Sequence, residues 1–377
     1  MPAAAPQVPI NPNDENPVWS GLDVFLIALV LITAVFFFSV LIFGIAAVGR
    51  VSQGGSAADI ARNPSGLVLV PVMVLSYLVT MTFMYLLIRY IRNYPFWQAV
   101  RWKWPSGGVW FLYLCGGVVL AFVVGVISKF LPIPKKLPID LMFRDRASAF
   151  LLAGFGIAIA PLVEELCFRG FLYPVLARWL PAVLAEPKRS RQGRNLLLLM
   201  AVWGYVAHST PRPWHILVLA LPFIGTLIVF LVRAVRATPR PEAVILPGAA
   251  LFVWGFVGRA QETPFLIASL LLLVLAFALN VAGISRPLAS SPARSLGIVL
   301  AVVLTSTAFA FVHASQLGGS WSPLLLLFTV GAVLTVTRAV TRSVTPGVLL
   351  HMGYNFTLFG LMYLATDHFR HLEKLGQ

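Results

Sequence analysis

Apolar positions in this chain come in long unbroken runs separated by short polar connections. A helix needs about 20 apolar residues to cross the ~30 Å hydrocarbon layer of a bilayer. Runs near that length lie at 21–49, 66–92, 108–131, 148–178, 195–210, 214–235, 243–258, 264–283, 295–316, 322–341 and 346–366. The pattern predicts an all-α protein, a polytopic transmembrane helical bundle of about eleven spans, with nine to eleven as the range. The runs at 195–210 and 243–258 are short and carry interior glycines, so they also fit re-entrant or tilted pieces. The longest polar stretches are the tail at 1–20 and the loop at 50–65. The expected organisation is therefore a polar N-terminal tail followed by one transmembrane domain, 21–377, with no soluble domain and no internal repeat.

The first 20 residues are polar and proline-rich and have no basic n-region. The apolar run that follows is too long for a signal-peptide core, and a retained first span is expected.

Composition supports the membrane reading. Of the 377 residues 59% are hydrophobic and only 11% charged, against roughly 25% charged in soluble domains. The 28 Lys and Arg against 13 Asp and Glu give a formal charge of +15. In a soluble chain such a balance would suggest nucleic acid; here the bases cluster in short loops, so the bilayer is the partner and nucleic acid is not. With a cytoplasmic N-terminus the inner loops are 92–107, 178–194, 235–242, 284–294 and 338–345, all net positive, as the positive-inside rule asks. The loop near 132–147 is the exception, with Lys135, Lys136, Arg144 and Arg146 offset only by Asp140 and Asp145. Cys115 and Cys167 lie in apolar runs without CxxC spacing, which indicates neither a disulfide framework nor a thiolate zinc site.

Polar groups of catalytic type interrupt these apolar runs at a few places. Glu164, Glu165 and Arg169 stand in AIAPLVEELCFRGFLYPVL, His313 in TAFAFVHAS, and His351 with Asn355 in GVLLHMGYNF. A charged side chain at mid-bilayer depth costs roughly 2.5–3.5 kcal/mol on insertion scales, so each demands a reason. Glu165 and Arg169 are four apart in the favourable order for an ion pair on one helix face. The pair leaves Glu164, about 100° around the axis, free to act as a base. Pro161 is expected to kink the span or break its hydrogen-bond ladder and open space beside the acids. Phe309 with His313, and His351 with Asn355, repeat the four-residue spacing. Imidazole and amide groups can hold a water or donate to a developing oxyanion, so the set reads as a hydrolase's. The bland alternatives are a structural ion pair and packing histidines; His208, His215 and Asn280 are read as packing residues.

The three segments resemble the signature of the CPBP family, the CAAX-protease and bacteriocin-processing membrane proteins also called Abi. Its EExxxR motif matches Glu164, Glu165 and Arg169; FxxxH matches Phe309 and His313; HxxxN or HxxxD matches His351 and Asn355. The resemblance implies an intramembrane glutamate-type endopeptidase acting on a membrane-associated peptide. Glu164 would be the general base and His313 would help hold the attacking water. His351 and Asn355 would stabilise the tetrahedral intermediate, while Glu165, Arg169 and Phe309 would shape the site. No cofactor is expected. Zinc stays open, since a Glu and two His could ligate it, although no HExxH is present. A bacterial plasma membrane is the expected location.

The resemblance covers 148–180 and 295–366. Between Arg169 and Phe309 lie 139 residues, more than the family usually places there, so 195–285 reads as an inserted set of membrane segments. His208 sits at a more ordinary distance, but Gly204 occupies the place where FxxxH needs Phe, which favours His313. Straight helices at about 1.5 Å per residue would put His313 and His351 on opposite sides of the bilayer. Pro346–Gly347 is expected to let the last helix start within the membrane and close that gap. Two other functions fit part of the pattern: a non-catalytic scaffold or immunity-type protein, and a proton-coupled transporter using the buried charges as a relay.

Overall fold

The computed structural model describes residues 15–56, 58, 65–134, 136–143, 145–185 and 290–374. Helices account for nearly all of the membrane-length segments: α1 (Gly21–Ser52), α2 (Gly66–Leu86), α3 (Val109–Ser128), α4 (Arg146–Gly154), α5 (Ala160–Glu165), α6 (Tyr173–Ala185), α7 (Ser290–Val312), α8 (Trp321–Thr341) and α9 (Thr345–Ala365). Helices α4, α5 and α6 follow one another without a break through two π-helical stretches, Phe155–Ile159 and Leu166–Leu172, and form one span. Seven helical segments among the described residues are long and apolar enough to cross a membrane, and no strand occurs among them. The chain is an integral membrane protein of all-α class. The expected spans at 195–210, 214–235, 243–258 and 264–283, with His208, His215 and Asn280, lie outside the described residues.

Local sequence sets the element ends. Ser20 and Asp23 form a reciprocal capping box at the start of α1, satisfying backbone N–H groups that the first turn leaves unpaired. Asp23 is buried and also accepts from Arg92. Helix α7 stops at Val312, four residues before the end of its apolar run. The chain then turns through Gly318 and Gly319, whose φ values of 60° and 70° a side chain would resist.

Lipid tails are as apolar as leucine, so burying apolar area cannot by itself drive helices together in a membrane; close approach and polar contacts do. Helix α9 lies along α3 at a backbone-to-backbone contact: a Cβ on Gly117 would collide with the Leu350 carbonyl, and one on Gly353 with the Leu114 carbonyl. Helix α7 packs between α6 and α8, and α1 runs beside α2. Outward side chains stay apolar, as with Phe36 at 70% exposure.

One end of the bundle gathers the N-terminal segment and the loops at 92–107 and 338–345. Arg338 donates to Glu15 at 2.8 Å and Arg101 to the same carboxylate at 3.3 Å. The Ser343 hydroxyl donates to the Lys103 carbonyl at 2.9 Å. The opposite end joins 129–143 to 313–322, with Ser322 donating to the Pro132 carbonyl at 2.9 Å and Ile139 N–H to the Gln316 carbonyl at 3.0 Å. Of the five basic loops expected on one side, 92–107 and 338–345 share this end of the fold, while 186–194, 235–242 and 284–289 lie outside the described residues.

Candidate active site

The site grows from the irregular α4–α5–α6 span. Pro161 has no N–H, and the span accommodates it by widening instead of snapping. Across Phe155–Ile159 the ladder runs from residue i to i−5, with Ala160 N–H bonded to the Phe155 carbonyl. The next bond in that register would run from residue 161 to the Gly156 carbonyl, and proline cannot make it. The Asn355 side-chain amide donates to that carbonyl instead, at 2.6 Å. A bare carbonyl away from water would cost several kcal/mol, so Asn355 repairs the defect that Pro161 creates.

The second widened stretch, Leu166–Leu172, carries Arg169. Both Arg169 and Glu165 are fully buried and pair at 2.8 Å. Arg169 also donates to the Gly331 carbonyl (2.8 Å) and the Thr335 hydroxyl (3.1 Å) of α8. Its guanidinium lies over the Phe309 ring, 4.5 Å from the centroid. The same ring packs on His313 at 5.2 Å and edge-on to His351 at 5.7 Å. Phe309 is thus the apolar wall shared by the arginine and both imidazoles.

Glu164 makes none of these bonds. Its side chain is 14% exposed, and it turns away from Arg169 toward the imidazoles. His313 Nε2 lies 4.0 Å from Glu164 Oε1, and His351 Nε2 lies 4.0 Å from Oε2. The Tyr77 hydroxyl of α2 donates to Oε1 at 3.3 Å. The structure therefore brings Glu164, His313 and His351 together, with Glu165, Arg169 and Phe309 packed behind them. Asn355 sits one turn beyond His351 and is bonded to Gly156.

The acceptors assign the imidazole tautomers. His313 Nδ1 is 2.9 Å from the Phe309 carbonyl, which can only accept, so Nδ1 carries the proton. His351 Nδ1 is 3.1 Å from Glu165 Oε1, a carboxylate already bonded to Arg169, and it also donates. In the neutral form both rings then present unprotonated Nε2 atoms toward Glu164.

The depth problem posed by straight helices is solved at the start of α9. A Cβ on Gly347 would lie 2.9 Å from Glu165 Oε2 and 3.9 Å from the Leu334 carbonyl. Leu334 is seven residues, about 10 Å, back from the end of α8. The last helix therefore begins level with Glu165, and His351 comes one turn later. His313, just past the end of α7, lies 4.0 Å from the neighbouring carboxylate of Glu164.

Sequence reasoning missed Tyr77, Thr335 and Gly331. Tyr77 had a faint signal: with Ser76 and Thr80 it makes a polar patch inside an otherwise apolar run, and all three are buried. Nothing local marks Thr335 or the Gly331 carbonyl as partners of an arginine 162 to 166 residues away.

Among the described residues no group of three His, Cys, Asp or Glu side chains is arranged to hold a metal ion.

Fold and site together define a polytopic helical membrane protein with an arginine-free carboxylate facing two imidazoles. Residues 270–357 match the family described as Rce1-like, type II CAAX prenyl endopeptidase Rce1-like, in agreement with the CPBP resemblance. The matched stretch contains Phe309, His313, His351 and Asn355; the Glu164–Arg169 segment precedes it. No curated protein and no solved structure matches the chain.

Proposed function

We propose that the protein is an intramembrane endopeptidase of the CPBP type, hydrolysing a peptide bond of a membrane-associated substrate with water activated by Glu164. The observation that carries this reading is the position of Glu164, facing the two imidazoles at 4.0 Å while its neighbour takes the arginine. A 4.0 Å gap is too long for a direct hydrogen bond and is spanned by one water making two ~2.8 Å bonds at about a right angle. Such a water hydrogen-bonds through one O–H to Glu164, which takes that proton, and through the other to an Nε2 lone pair, and turns its own lone pair to the substrate carbonyl. General-base assistance of this kind contributes about 10²–10⁴ in rate.

The roles divide by burial. Glu165 and Arg169 form the fixed charge pair that orients His351 through its Nδ1 proton. His313, 22% exposed, holds the water from the more open side. The resemblance gives His351 and Asn355 to the tetrahedral intermediate. In its neutral tautomer His351 offers an acceptor, so it donates to an oxyanion only as imidazolium, and one Asn355 N–H is taken by Gly156. The catalytic unit is proposed to be 148–180 with 295–366, and 195–285 an insertion into it. The membrane is assigned to a bacterial cell, with the basic end of the bundle and the N-terminus cytoplasmic.

The test uses the full chain in proteoliposomes with a farnesylated CAAX peptide and the same peptide without its lipid, in ¹⁸O-water. Mass spectrometry of the products should show a new C-terminus carrying one ¹⁸O for at least one of the two. Intact peptides after prolonged incubation with folded protein would contradict the reading and favour the scaffold.

A further inference from the structure

We propose that Tyr77 is a further oxyanion donor of this site, beside the remaining Asn355 N–H, a role that rests on Glu164 being the base. The argument is a census of donors. His313 spends its Nδ1 proton on the Phe309 carbonyl, and His351 spends its own on Glu165. Arg169 is fully buried and its described bonds go to Glu165, Gly331 and Thr335. One Asn355 N–H goes to Gly156 and leaves the other for the substrate. Among the described residues, the hydrogen bond that reaches the Glu164 carboxylate itself comes from the Tyr77 hydroxyl.

That bond is long. At 3.3 Å it exceeds the usual 2.7–2.8 Å of an O–H···O contact, so the hydroxyl is held loosely and can swing to a nearer anion. The ring, by contrast, is fixed. Tyr77 is 7% exposed, clusters with Ala160 and Val163 on either side of Pro161, and packs on Phe155 at 5.6 Å between ring centroids. Phe155, Ala160 and Val163 belong to the same span as Glu164, so the phenol ring packs directly on the span that carries the carboxylate.

The chemistry balances with water as the only co-reactant. Water oxygen attacks the substrate carbonyl carbon as Glu164 takes a water proton, and the carbonyl π pair becomes the oxyanion. Glu164, now neutral, no longer needs the Tyr77 bond. The hydroxyl donates to the oxyanion and keeps its proton. As the tetrahedral intermediate collapses, the C=O bond re-forms, the C–N bond breaks, and the leaving nitrogen takes the proton from Glu164. Preorganised donors of this kind act where charge develops.

The experiment compares wild type, Tyr77→Phe, Glu164→Gln and the double variant in proteoliposomes. It reads kcat, KM, and binding of both the uncleaved peptide and its phosphinate analogue, a tetrahedral oxyanion mimic. Tyr77→Phe should lower kcat by about 10²–10³ with KM unchanged. It should weaken phosphinate binding by a similar factor, and leave peptide binding in the Glu164→Gln background unaltered. A kcat within about threefold of wild type, or equal losses for peptide and phosphinate, would overturn the assignment; the second result marks a packing role. The two readings separate cleanly. An active Glu164→Gln sinks the base whatever Tyr77→Phe does, whereas an inactive Glu164→Gln beside a fully active Tyr77→Phe sinks only the donor.

Discussion

The Asn355 amide donates to the Gly156 carbonyl at 2.6 Å, at the position where Pro161 leaves a gap in the helical ladder. Removing the amide strands a half-buried carbonyl, at a cost of about 1–3 kcal/mol. Asn355→Ala should lower the melting temperature of the detergent-solubilised protein. Pro161→Ala restores a backbone N–H, so Asn355→Ala should cost less in that background; contacting residues couple in this way. Equal costs in both backgrounds would show that the two positions act independently.

The adjacent acids should behave oppositely when altered. Glu165 and Arg169 are a fully buried pair, and truncating one partner leaves an uncompensated charge, worth about 3–5 kcal/mol. Arg169→Met or Glu165→Ala should therefore reduce folded protein sharply in thermal and protease-resistance assays. Glu164→Gln keeps the shape and breaks no arginine pair, and should melt within a few degrees of wild type.

Gly347 tests the start of α9. Its missing side chain leaves room for Glu165 Oε2, which a Cβ would meet at 2.9 Å. Gly347→Ala should push the carboxylate aside, cost about 1–3 kcal/mol as overpacking does, and disturb His351 through the Nδ1 bond. Cleavage activity and melting temperature should fall together, in contrast to Glu164→Gln.

Much of the fold is legible in the sequence. Membrane spans are written in uninterrupted apolar length, so the seven described spans follow the runs closely, and the i, i+4 spacing of Glu165 and Arg169 already implied their pairing. The choice of Glu164 as the free acid followed from that pairing. What the chain could not reveal were contacts set by tertiary depth. The level at which α9 begins depends on how Pro346–Gly347 meets Glu165, and the partners of Arg169 on α8 depend on helix rotation. Asn355 is the instructive case: its four-residue distance from His351 marked it for the site, but the need it meets is created by a proline on another helix, which no local spacing encodes. Tyr77 escaped for the same reason, as a single hydroxyl in a span whose inward face is fixed only by packing.

The most direct test is the single-turnover rate constant for a cleaved membrane-tethered peptide, measured for wild type and Glu164→Gln at equal folded concentration. The account predicts a fall of about 10²–10⁴ with peptide affinity and melting temperature preserved. A Glu164→Gln rate within about threefold of wild type would contradict it.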